Sequence, residues 1–80
     1  MLAISKSGHD KGKIYYVSGD DGKRLYLSDG KKRPLSSPKI KNRKHVELIN
    51  DPASPDNDED IKRLIKEAKR LRTAKEETDV

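Results

Sequence analysis

The chain is expected to be mainly β, a small barrel of short strands followed by one amphipathic α-helix, and three observations lead there. Short runs of β-branched, aromatic and leucine residues recur roughly every ten positions through the first fifty residues. Gly- and Asp-rich turns separate those runs. Beyond Asn50-Asp51-Pro52-Ala53-Ser54-Pro55 the apolar spacing switches to that of a helix.

Leu2 to Ser7 is the first expected strand, and Ser7-Gly8-His9-Asp10-Lys11-Gly12 the loop after it. Lys13 to Ser18 (Lys-Ile-Tyr-Tyr-Val-Ser) has strand composition. Gly19-Asp20-Asp21-Gly22 then closes a hairpin, because Gly and Asp tolerate the positive φ that tight turns need. From Arg24 to Ser28, Leu25 and Leu27 face one side and Tyr26 the other. Asp29-Gly30 turns the chain again. Ile40, then Val46-Glu47-Leu48, supply a later strand or two, with Val46 and Leu48 pointing the same way.

The barrel is expected over residues 1–50 and a hinge over 51–56, where Pro52 and Pro55 continue neither strand nor helix. A helix is expected over 57–75, since Ile61, Leu64, Ile65, Ala68 and Leu71 share one face. Lys62, Lys66, Lys69 and Arg70 lie opposite. Asp56, Asp58, Glu59 and Asp60 complement the positive end of its dipole, and Asn57 or Asp58 is the expected cap. Residues 76–80 are expected to fray.

Eighty residues, 30% hydrophobic and 41% charged, allow one small domain with a thin core. The absence of cysteine excludes disulfides and thiolate metal sites and fits a reducing cytoplasm. Met1-Leu2-Ala3-Ile4 is too short for a signal or membrane segment, so a soluble, cytoplasmic monomer without a membrane partner is expected. Charge is unevenly placed: twelve Lys/Arg against five Asp/Glu in residues 1–50, and seven against nine in residues 51–80. The partner-seeking charge therefore belongs to the first fifty residues.

Between Gly30 and Val46 stand seven cations and no acidic residue. Charge of one sign this dense is either solvated or matched by an anionic partner. A nucleic-acid backbone is the simplest such partner, because binding releases its condensed counterions. The plainer reading is a lysine-rich loop that keeps the protein soluble.

Ile4-Ser5-Lys6-Ser7-Gly8-His9-Asp10-Lys11-Gly12-Lys13-Ile14-Tyr15-Tyr16-Val17 resembles the KOW motif: a strand, a loop with a near-obligatory glycine (here Gly12), and a second strand. Ser28-Asp29-Gly30-Lys31-Lys32-Arg33-Pro34-Leu35 and Pro38-Lys39-Ile40-Lys41-Asn42-Arg43-Lys44-His45-Val46 extend the likeness to residues 3–49. Together these blocks look like the small bacterial KOW-domain RNA-binding proteins, similar to a KOW-containing large-subunit ribosomal protein of archaea and eukaryotes. The resemblance implies an SH3-like β-barrel that binds RNA, ribosomal or ribosome-associated, with a role in translation. Two departures stand out. The glycine usually placed before the motif is absent, and His9 stands where an Arg is common, which weakens one phosphate contact at neutral pH.

The expected RNA-binding residues lie on two loops, 7–13 and 30–45. They are Lys11, Gly12 and Lys13, where glycine lets the backbone approach a phosphate, and then Lys31, Lys32, Arg33, Lys39, Lys41, Arg43 and Lys44. Arg33 and Arg43 are the strongest individual candidates, as Arg binds phosphate bidentately. One of Tyr15 and Tyr16 must leave the core side, either to stack a base or to pack under the helix. His45 is expected to pin its loop. Ribosomal RNA is the expected partner, ribosomal proteins a further one, and the alternative is a module docking on ribosomal or transcription machinery through the barrel or the helix.

Enzymatic chemistry finds no support in the residues. Asp56, Asp58 and Asp60 alternate as in a calcium loop, but Ile61 stands where the turn requires Gly. Two histidines without cysteine make no zinc site. Ser7, His9 and Asp10 crowd one tight loop, which gives no reason for triad geometry. No enzyme activity, cofactor, metal or small-molecule substrate is expected.

Overall fold

Strand β1 (Leu2–Ser5) is buried along its whole length, which requires cover on both faces of the sheet. The computed structural model, which describes residues 1–78, supplies that cover from two separate clusters. β1 pairs antiparallel with β2 (Ile14–Asp20) on one side and with β5 (Val46–Ile49) on the other. β2 pairs with β3 (Arg24–Ser28), and β3 with β4 (Lys39–Asn42), so the order across the sheet is β4-β3-β2-β1-β5. All four pairings are antiparallel. The protein is therefore mainly β, with one helix, α1 (Asp58–Thr78), after the sheet.

The sheet has to curl. Its edge strands β4 and β5 are joined only by a single 3₁₀ turn, Arg43–His45. In a flat five-stranded sheet the edges would stand about 19 Å apart. The chain from Asn42 to Val46 reaches about 14 Å at most. The Asn42 side chain caps the turn by accepting from the Lys44 N–H at 2.9 Å. Backbone bonds from Lys6 N–H to the His45 carbonyl (2.8 Å) and from Arg43 N–H to the Lys23 carbonyl (2.9 Å) hold it in place. His45 thus pins its loop through the main chain, while its side chain is exposed.

Inside the curl lie Ala3, Tyr15, Leu25, Leu27 and Val46, with Val17 at the margin. Leu48 shares the inward register of Val46, but sits beyond this cluster and is 37% exposed. The other face carries Leu2, Ile4 and Ile14, on which Ile61 and Ile65 of α1 are packed. Leu64 and Ala68 lie beside them, whereas Leu71 is 61% exposed past the sheet. Tyr15 is therefore an inner residue, and Tyr16 lies under the helix.

β2 runs two residues further than its composition implies, through Gly19 and Asp20. A register shift between Val17 and Gly19 accommodates this, and a Cβ at Gly19 would come within 3.0 Å of the Tyr26 ring. The hairpin turn is Asp21–Lys23, with Gly22 at φ +95°. Asp20 Oδ1 accepts from Gly22 N–H, and Asp21 Oδ1 from the N–H groups of Lys23 and Arg24.

Helix α1 starts at an Asn57 cap whose Oδ1 accepts from Asp60 N–H at 2.9 Å. Asp58 reaches across to the chain before β4, its Oδ1 accepting from Leu35 N–H at 2.9 Å. Gly30 makes room for this seat: a Cβ there would lie 2.4 Å from the Asp58 carbonyl oxygen. The helix is assigned through Thr78, past the expected end at residue 75, and residues 79–80 of the expected frayed tail lie outside the described residues.

Candidate nucleic-acid interface

Two carboxylates organise the basic loops. Asp10, in the β1–β2 loop, is almost out of solvent and takes four side-chain hydrogen bonds. Its Oδ1 accepts from Ser5 Oγ and Lys41 Nζ, its Oδ2 from Tyr15 Oη and Lys39 Nζ, at 2.8–2.9 Å. Lys41 Nζ also donates to Ser5 Oγ at 2.6 Å and to the Ser7 carbonyl at 2.9 Å, which uses all three of its protons. Burial opposes the charge of Asp10, but the donors from Lys39, Lys41, Ser5 and Tyr15 outweigh it and hold its carboxyl well below the usual range. Burial and that same carboxylate push the Tyr15 hydroxyl above the ordinary tyrosine value. Lys39 and Lys41 reach Asp10 from one face of β4 because strand residues two apart point the same way; Ile40 between them is 52% exposed.

Asp29, 7% exposed, does the same for the turn after β3. Its Oδ1 accepts from the N–H groups of Lys31 (2.8 Å) and Arg33 (3.0 Å), and Oδ2 from Lys13 Nζ at 2.7 Å. Burial alone would raise its pKa, but these three donors outweigh that and bring it down to about 2. With the main chain of the turn drawn inward to one carboxylate, Lys31, Lys32 and Arg33 project outward, all three exposed. The Lys13–Asp29 pair ties this turn to the β1–β2 loop, and the Asp10 pairs tie that loop to β4. The two basic loops therefore lie together.

Of the ten residues expected to contact RNA, the nine cations fall into two groups. Lys39 and Lys41 are engaged with Asp10, Lys13 with Asp29, and Arg43 with Asp20 through its Nη2. Lys11, Lys31, Lys32, Arg33 and Lys44 are exposed and form no ion pair among the described residues. Gly12 has φ +87° and nothing within 4 Å of where a Cβ would stand, so its Cα face is uncrowded, while its N–H is held by the Ser5 carbonyl at 2.8 Å. Lys13 Nζ also lies 5.2 Å from the Tyr15 ring centre, a cation–π contact that fixes it further. Tyr15, 2% exposed, is closed to base stacking.

A cleft of about 520 Å³ opens between this cluster and the helix. Lys13, Ile14, Asp29 and Lys31 line its sheet side; Glu59, Lys62, Arg63, Ile65, Lys66 and Lys69 line its helix side. The amphipathic pattern of α1 places Lys62, Lys66 and Lys69 one position after Ile61, Ile65 and Ala68, hence on the flank of the apolar stripe. Flank residues reach the sheet's margin once the stripe is seated. Sequence reading assigned these lysines to the solvent face and left them out of the site.

No protein-family model matches this chain, and no curated protein matches it.

Proposed function

We propose that this protein is a cytoplasmic RNA-binding module, associated with the ribosome, that captures structured RNA through its two basic loops. The observation that carries the reading is the Asp29-centred turn. It turns the backbone inward on one carboxylate and leaves Lys31, Lys32 and Arg33 exposed with no ion pair among the described residues, while the β1–β2 loop that Lys13 ties to it carries the exposed Lys11 and the uncrowded Cα face of Gly12. Such an arrangement suits phosphate contacts, which position a protein on RNA without reading its bases. The resemblance of residues 3–49 to KOW-domain RNA-binding proteins points to the same class and to ribosomal RNA in particular. The docking alternative draws less support, since Ile61 and Ile65 of α1 are buried on the sheet.

Co-sedimentation with ribosomes at low and high salt, with and without nuclease, tests the reading. The expected result is subunit-bound protein that salt releases. Lys32→Ala combined with Arg33→Ala and Lys44→Ala should lower the slope of log K against log salt by about 2 units, at roughly 0.7–0.9 per phosphate contact. Protein that stays at the top of every gradient and binds no RNA hairpin refutes it.

A further inference from the structure

Resting on the RNA-binding reading, we infer that helix α1 is a second half of the site: the cleft between α1 and the Asp29 turn holds consecutive phosphates of one RNA strand. Three observations converge. Six cations line the cleft, Lys13 and Lys31 from the sheet side and Lys62, Arg63, Lys66 and Lys69 from α1, against two carboxylates, Asp29 and Glu59. Both carboxylates already hold one of those lysines, Asp29 with Lys13 and Glu59 with Lys62, each at 2.7 Å. Lys31 and Lys66 form no ion pair among the described residues, so the lining keeps an excess of positive charge, which a groove with low-dielectric walls focuses into an attractive field.

Its shape favours a strand over a lone anion. Lys62 and Lys66 lie one turn apart along one side of α1, about 6 Å at the helical rise of 1.5 Å per residue, and Lys31 stands on the sheet side. A nucleic-acid strand presents one charge per roughly 3.4 Å of duplex axis, so these cations span about two consecutive phosphates. The floor is apolar, Ile14 and Ile65, where sugar edges can rest. The walls are rigidly placed. Gly30 admits the first turn of α1 against the sheet side, and Asp58 bonds to Leu35 N–H across the gap. The cleft therefore exists before any ligand arrives, and binding need not meet the cost of building it.

The test compares two charge-matched variants of the full chain. Arg63→Gln with Lys66→Gln removes two exposed cations of the cleft; Arg63 has only a 3.9 Å approach to Asp60. Lys6→Gln with Lys23→Gln removes two exposed cations that do not line it. Binding of a fluorescein-labelled RNA hairpin is measured from about 50 to about 200 mM salt, where counterion release dominates. The cleft variant should lose about tenfold or more in affinity at the upper end, and about 1.5 units of salt slope. The control should stay within about threefold, since charges beyond a Debye length of roughly 8 Å are screened. Amide resonances of Lys31, Lys62 and Lys66 should shift when the hairpin is titrated into the wild type. If the wild type binds the hairpin but both variants weaken alike and those amides stay still, the cleft inference is overturned while RNA binding stands. Equal displacement of the hairpin by a polyglutamate of matched charge overturns it in favour of an acidic-peptide site. A wild type that binds no RNA refutes both readings.

Discussion

Asp10→Asn keeps the size of the side chain and removes the charge on which the β1–β2 loop closes. That charge meets Lys39 Nζ and Lys41 Nζ, both at 2.8 Å. An Asn in its place keeps one accepting oxygen and turns two N–H donors toward a site already crowded with donors. Lys39, 30% exposed, can swing into water. Lys41, 12% exposed, cannot do so without leaving Ser5 Oγ and the Ser7 carbonyl. Removing one partner of a fully buried pair costs about 3–5 kcal/mol, and the partial exposure here brings the expected loss to about 2–4 kcal/mol. An 80-residue domain holds about 4–12 kcal/mol in total. At about 4–8 °C per kcal/mol, the melting temperature should fall by about 8–32 °C. Thermal and urea unfolding followed by far-ultraviolet circular dichroism measure this directly. A double-mutant cycle with Lys41→Met should show coupling of at least about 1 kcal/mol. Lys41→Met should leave the RNA salt slope unchanged, because its ammonium is committed within the fold. A change under about 0.5 kcal/mol for Asp10→Asn, with no coupling to Lys41, would refute the reasoning.

Three further outcomes are expected. Gly30→Ala should cost at least about 2 kcal/mol and expose the Leu35 N–H to exchange, since φ is +78° and the new Cβ would meet Asp58 O and Lys62 Cγ; Gly12→Ala, with open space around it, should cost about 1 kcal/mol from backbone strain alone. Ile61→Ala should destabilise by about 2–5 kcal/mol because Ile61 is fully buried, while Leu71→Ala, at 61% exposure, should stay within about 0.5 kcal/mol; equal effects would mean that α1 does not seat as described. For acid, the carboxyls of Asp10 and Asp29 are depressed in the folded state, so their contribution is complete above the ordinary value of 3.8 and disappears as pH falls through the folded values, about 2 for Asp29. The melting temperature should accordingly hold steady down to about pH 4 and then drop, and Asp29→Asn should flatten that drop.

The features legible in the chain were those written within a few residues of one another. The 3.6-residue spacing of Ile61, Leu64, Ile65 and Ala68 was enough to recognise α1, because helix periodicity needs no knowledge of what covers it. The alternation of Leu25, Tyr26 and Leu27 was read in the same way, and both leucines are buried with Tyr26 on the other side. Asp10 and Asp29 were passed over as site organisers. Their partners stand as far as 31 residues away for Asp10 and 16 for Asp29. One signal did exist: Lys39 and Lys41 bracket Ile40 with the two-residue spacing of a strand, and two lysines on one face of a strand call for a carboxylate opposite.

By itself the sequence determined the fold class, the position of the helix and the concentration of positive charge in the first fifty residues, since composition and periodicity are local properties. Only the tertiary structure decided which cations are free to meet a ligand. Seven lysines and arginines between Gly30 and Val46 look equivalent in a string of letters. Folding draws Lys39 and Lys41 onto Asp10 and Arg43 onto Asp20, while the Asp29 turn leaves Lys31, Lys32 and Arg33 exposed and the packing of α1 brings Lys66 to the cleft that Lys31 lines. The physical reason is that a charge's availability depends on its neighbours in space. Those neighbours are set by strand pairing and by the seat that Gly30 leaves for the helix.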